Sequence, residues 1–212
     1  MALNYENLDS RTCKFMLEEV DLDSSRGTLY ISPRLNAEGR EKYESLLREA
    51  VQSRDDAWLA SELRYRSCMN TTEQRRKPKG GFTTVQVPIT APDTLAEGEF
   101  NRFYVRGLCR RAIEDNITEV VICRGKQVSQ PRPESEAMMG KRISARDLLE
   151  DLRESQGVEP ALGLPPGPNS GLTVRLPLTI SSPAGTETLA GTIDLHRKRC
   201  SGSMLSRQSL HS

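Results

Sequence analysis

The stretch that most constrains this chain is residues 94–116, TLAEGEFNRFYVRGLCRRAIEDN, which runs directly into the apolar segment 117–123, ITEVVIC. The first reads as a long helix. Asp93 and Thr94 are good N-cap residues, and Thr94 with Glu97 three positions on fits a capping box. Asn116 tolerates the left-handed conformation that ends helices. At 100° per residue, Phe100, Phe103, Tyr104, Leu108 and Ala112 share an apolar face, while Arg102, Arg106 and Arg110 form a row on another. Gly107 interrupts this pattern at a cost of roughly 1 kcal/mol against alanine, which predicts the close approach of another backbone.

Before this helix the periodicity changes. Cys13, Met16, Leu17 and Val20 make a helical stripe that Asp9 or Ser10 caps and that Asp21, Asp23 and Gly27 break near Leu22. Asp21-x-Asp23-x-Ser25 resembles the start of a calcium loop, but Arg26 and Ser32 stand where that loop needs glycine and glutamate. Asn36 caps a second helix to Ser53, and Asp55 or Asp56 a third carrying Trp58, Leu59 and Leu63. A helix-turn-helix here would place Asp55, Asp56 and Glu62 against DNA, so a packing module is the simpler reading. Residues 70–81, NTTEQRRKPKGG, read as a basic connection whose Gly80 and Gly81 supply flexibility. Phe82 to Ile89 alternates as a strand that Pro88 ends.

Strand, long helix, strand is the βαβ order, which suggests a parallel pair. Residues 130–139 read as a proline-punctuated loop, Ser144 to about Ser155 as a further helix closed by Gly157, and Leu172, Val174 and Leu176 as a last strand. The expected fold is therefore α+β, with α/β as the alternative: an acidic module of three short helices over 1–69, a basic linker over 70–81, a core domain over 82–177 with a small mixed sheet, a long helix and a shorter one, and a low-complexity, largely disordered tail over 178–212 that has room for one hairpin.

Charge is unevenly spread although the net value is only +1. Residues 1–73 hold 10 basic and 14 acidic side chains, whereas 74–111 hold 8 and 3, so a polyanion finds a concentrated partner only in the middle segment. Both histidines, His196 and His211, fall in the tail, which leaves Ser-His-Asp and Cys-His chemistry almost no material. No Walker loop, dinucleotide fingerprint or Cys/His cluster is present, so no cofactor and no zinc site is expected. The five cysteines are widely spaced, and the sequence shows neither a signal peptide nor an apolar run near 18 residues; free thiols in a reducing cytoplasm, with no membrane, are the expectation.

Three functions fit. The first is a non-enzymatic polyanion-binding protein, with DNA or RNA as partner. Arg75, Arg76, Lys77, Lys79, Arg102, Arg106 and Arg110 would be its phosphate contacts, and Arg124 and Lys126, at the end of the apolar strand, would form an anion pocket with Arg132 and the loop near Asn169. The second is an adaptor that binds another protein. The third is a metal-dependent phosphodiesterase drawing on Glu97, Glu99, Glu134 and Glu136, although no third ligand for one ion is apparent. The first requires the linker and helix arginines to share one exposed face.

Overall fold

The computed structural model describes residues 3–155, 164 and 170–178. Among these are helices α1 (Ser10–Arg26), α2 (Ala37–Ser53), α3 (Asp56–Tyr65), α4 (Ala91–Glu114), α5 (Pro133–Met138) and α6 (Ala145–Glu154), and strands β1 (Thr72–Arg76), β2 (Phe82–Gln86), β3 (Glu119–Arg124), β4 (Arg142–Ser144) and β5 (Leu172–Arg175). The fold is α+β. The expected tail over 178–212 lies outside the described residues apart from Leu178, as do Gly157 and most of the proline-rich loop before β5.

The caps of the first helices sit where the side chains demand. Asp9 accepts from the Arg11 and Thr12 amides, Asn36 from Gly39, and Asp55 from Trp58. Helix α1 runs a turn beyond Leu22 and ends at Gly27, whose φ of 66° closes it in the left-handed conformation. Asp21 and Asp23 do not break it, because each is held by an arginine: Arg48 and Arg106 respectively.

Helix α4 starts a turn earlier than the capping box implies. Pro92 fits in its first turn, where no amide is needed, and Thr90 caps it without a side-chain bond. Glu97 is thereby released from capping and pairs with Lys126. At the far end Asn116 takes φ 57°, and the Ile117 amide returns to the Ala112 carbonyl at 2.8 Å.

Around α4, some 36 Å long at 1.5 Å per residue, most of the described helices and the β4-β3-β5 sheet are packed. Helices α1, α3 and α6 lie along it, with contributions from α2, β3 and β5. Met16, Leu47, Leu63, Phe100, Tyr104, Val120, Leu148 and Val174 belong to one continuous apolar cluster. The acidic helices over 1–69 are thus built onto the same core as α4, α6, β3 and β5 rather than forming a module of their own. Three short amphipathic helices cannot each bury a stripe alone, and α4 supplies the surface they need.

The parallel βαβ unit does not form. Strand β2 pairs antiparallel with β1, and β3 pairs antiparallel with β4 and with β5, so the strands before and after α4 belong to different sheets, ordered β1-β2 and β4-β3-β5. Residues 70–81 are not a linker but the first strand and turn of a hairpin. Residues 133–138, expected as loop, form the short α5.

Gly107 lies where α1 crosses α4. A Cβ on it would stand 2.6 Å from Met16 Cγ and 2.8 Å from the Met16 amide nitrogen, the close approach that the sequence implies. On an exposed helix Gly→Ala would gain about 1 kcal/mol. Here, Gly107→Ala is expected to destabilise by roughly 1–3 kcal/mol, because the backbone of α1 must move. Urea unfolding of the variant would show a lowered midpoint; a raised midpoint would mean that the two helices are not held at this distance.

Candidate nucleic-acid interface

The nine basic residues singled out from the sequence divide cleanly in space. Five are committed inside the fold. Arg106 is fully buried and chelated by two carboxylates of α1: its Nε and Nη2 donate to Glu19 at 3.0 and 2.7 Å, and its Nη1 and Nη2 to Asp23 at 2.6 and 2.9 Å. The Phe103 ring lies 5.0 Å from its guanidinium carbon. Arg102, 7% exposed, donates to the Leu152 and Ser155 carbonyls at the end of α6, at 3.3 and 2.9 Å. Arg110 pairs with Glu18 at 2.7 Å and stands 3.4 Å from Glu19. Arg124 donates to the Ser170 carbonyl and pairs with Glu136, and Lys126 pairs with Glu97.

The arginine row of α4 is therefore not part of a face shared with 74–79, and the strand-end pair is no open anion pocket. The reason is that α4 is surrounded: Arg102 and Arg106 lie in its buried interior and Arg110 packs onto α1, so each charge must be met by an acid or a carbonyl. The antiparallel sheet also removes the premise of ligands gathering beyond parallel strand ends. Across the α1–α4 contact Arg106, Arg110 and Arg111 are neutralised by Asp9, Glu18, Glu19 and Asp23.

The carboxylates considered for magnesium are dispersed. Glu97 is held by Lys126, and Glu136 by Arg124. Among the described residues no group of three or more His, Cys, Asp or Glu is placed to hold a metal ion. A shallow pocket of about 290 Å³ between the end of α4 and the start of α6, lined by Ile113, Asn116, Ile117, Thr118, Ser144 and Arg146, contains one cation and no carboxylate.

The remaining four cations, Arg75, Arg76, Lys77 and Lys79, are all exposed and, among the described residues, none is in an ion pair. They sit on the outer half of the β1–β2 hairpin. Its two strands pair in register from Thr72 opposite Gln86 to Arg76 opposite Phe82. Its turn is built rather than loose. The Lys77 carbonyl accepts from Gly80 at 3.1 Å, and the Gly81 carbonyl accepts from Lys77 at 3.0 Å. Pro78 supplies the φ of the second turn position, and Gly80 and Gly81 take φ of 91° and 79°, which other residues rarely adopt. The glycines read as flexible in the sequence are what the turn geometry requires.

An isolated two-stranded ribbon is marginal in water, and this one is anchored at its base. Glu73 accepts from Arg34 Nε and Nη2 at 2.6 and 2.9 Å. The Asn70 amide donates to the Arg34 carbonyl at 2.8 Å, and its side chain to the Pro33 and Leu35 carbonyls. On one face of the ribbon Glu73, Thr83 and Val85 are half-buried and Arg75 is exposed; on the opposite face Thr72, Gln74, Arg76, Phe82, Thr84 and Gln86 are all exposed. The signal in the sequence for this arm was the Lys-Pro-Lys-Gly-Gly turn between two β-prone runs.

Comparison with protein-family models, curated proteins and solved structures returns no match. No helix of the described residues is long and apolar enough to cross a membrane.

The buried charges give two tests. Arg106→Ala strands Asp23 in the core, leaves Glu19 to Arg153 and Arg110, and is expected to cost about 3–5 kcal/mol in urea unfolding; an unchanged midpoint would place the ionic cluster in water. Glu99, buried on α4, has its carboxyl pushed up to about 7, by burial first, against the opposing pull of Arg102 and Arg106. Burial likewise raises Asp56 to about 6. Between the ordinary carboxylate range near 4 and these values the folded protein binds more protons than the unfolded chain, so this contribution to stability falls as pH rises towards 7. Glu99→Gln is expected to raise the melting temperature at pH 8 relative to wild type and to change it little at pH 5. An equal effect at both pH values would mean that Glu99 does not titrate in this window.

Proposed function

We propose a reading narrower than the shared face of linker and helix arginines, which does not form: a non-enzymatic nucleic-acid-binding protein that engages phosphates through the β1–β2 arm alone. The observation that carries the reading is the separation of its cations: the arginines inside are spent on acids and carbonyls, while Arg75, Arg76, Lys77 and Lys79 project on an ordered ribbon, in no ion pair among the described residues, and Glu73, the one acid between Thr72 and Gln86, is held by Arg34. A net charge of +1 leaves the molecule as a whole indifferent to polyanions and confines attraction to the arm. Contacts of this kind position a nucleic acid without reading it.

A second reading is an adaptor that docks a protein. It is favoured by the exposure of Tyr65, Phe82 and Ile89, which are 85%, 68% and 88% accessible.

Binding of a labelled duplex across a salt series from about 50 to 200 mM separates the two. Up to four phosphate contacts give a slope of up to about −3.6 in log K against log salt, and each change at a cation that meets a phosphate is expected to remove about one. The quadruple alanine variant is expected to lose binding while keeping its helical circular dichroism, because the arm contributes little to the core. Binding that survives in the quadruple variant, or is absent at about 50 mM salt, would overturn the reading and turn attention to a protein partner.

A further inference from the structure

We infer that the ligand of the arm is duplex DNA, with the ribbon lying in the major groove and its exposed face against the base edges. This rests on the arm reading above and narrows it. Four observations converge. The first is shape. A two-stranded antiparallel ribbon, with strands about 4.8 Å apart and side chains on both sides, fits the B-DNA major groove, which is about 12 Å wide. Five paired residues per strand give a length of about 17 Å, and the built turn makes the ribbon a preformed element rather than one ordered on binding.

The second is how charge is distributed around the ribbon. By strand alternation Arg75 and Arg76 point to opposite faces, and Lys77 and Lys79 flank the turn. With the exposed face on the base edges, Arg76 turns to the groove floor and Arg75 away from it, and Lys77 and Lys79 at the turn are left to meet the phosphates of the groove walls.

The third is the chemistry of the exposed face. Gln74, Arg76, Phe82, Thr84 and Gln86 are uncharged or singly charged side chains of the types that read base edges. Glutamine matches the N6/N7 edge of adenine, arginine the O6/N7 edge of guanine, and threonine and phenylalanine the thymine methyl. Gln74 Nε2 donates to Thr84 Oγ1 at 2.8 Å, which holds that amide in place across the ribbon. Among the described residues Arg76 and Gln86 make no side-chain hydrogen bond and are free to contact bases.

The fourth is what the arm lacks. Single-strand binders stack successive bases on aromatic rings, and Phe82 is the one aromatic residue between Thr72 and Gln86. The major groove of A-form RNA is too deep and narrow for side chains to read. Both considerations favour B-form DNA.

The full chain should be titrated with a random-sequence DNA duplex of about two helical turns, either of its single strands, the matching RNA duplex and heparin, and then footprinted on the duplex with dimethyl sulfate. The DNA duplex is expected to bind at least tenfold more tightly than the single strand or the RNA duplex, with protection at guanine N7. After selection from a random duplex pool, Gln74→Ala with Gln86→Ala is expected to lose the enriched sequence while total affinity for random duplex falls less than threefold. Equal affinity for all four polyanions, or protection confined to adenine N3 in the minor groove, would overturn the groove assignment and leave the arm a general phosphate binder. An enriched sequence unchanged in the double variant would overturn the assignment of the exposed face. Binding to none of the four would remove the arm reading itself.

Discussion

The structure depends on one buried ion cluster. Arg106 sits in the middle of α4 with no exposure, and its guanidinium makes four hydrogen bonds to Glu19 and Asp23 of α1. Arg153, on α6, reaches the same Glu19 at 2.5 and 2.9 Å, so three helices meet at one carboxylate. Burial alone would raise the Glu19 carboxyl, but the guanidinium groups of Arg153 and Arg106 bring it below the ordinary value. A cluster of this kind adds little net stability over well-packed apolar residues, yet it penalises any arrangement that leaves one member unpaired. It fixes which turn of α1 faces which turn of α4, and Gly107 permits the distance by presenting no Cβ to Met16.

That arrangement settles where positive charge is left over. Once α4 is covered on all sides, its arginines are structural, and the basic surplus of the middle segment shrinks to the four cations of the β1–β2 arm. The arm stands apart from the core physically as well: its strands pair with each other, and its ties to the body run through Arg34, Asn70 and Leu35 at the base. A short anchored ribbon with polar side chains on its open face and cations towards its tip has no packing reason for its composition. Core elements of this chain bury what they carry; the arm displays it.

Much of the local structure was legible in the chain because local structure has local causes. The N-caps Asp9, Asn36, Asp55 and Ser144 stand where their side chains reach the first free amides, and Asn116 ends α4 in the left-handed conformation. The apolar faces of α1 to α4 and α6 follow the helical period, and Phe100, Phe103 and Tyr104 lie in the core as that period requires. Gly107 signalled a close approach before any partner was visible. The four arm cations were legible as candidates, too, although they appeared as one set with five others.

What the sequence determined by itself was the order and type of most elements and the pool of charges available. Only the tertiary structure decided how those charges were spent. A helical wheel places Arg102, Arg106 and Arg110 on one stripe, but whether a stripe faces water or another helix depends on what packs there, and Glu19 lies 87 residues from Arg106. Strand pairing is undetermined for the same reason: β2 alternates and β3 is a continuous apolar run, but nothing within either records that one pairs with residues 72–76 and the other with 142–144 and 172–175. Caps and turns are short-range interactions encoded in neighbouring residues. Ion pairs, strand partners and exposure are long-range choices among many partners of equal local merit, made only when the core closes.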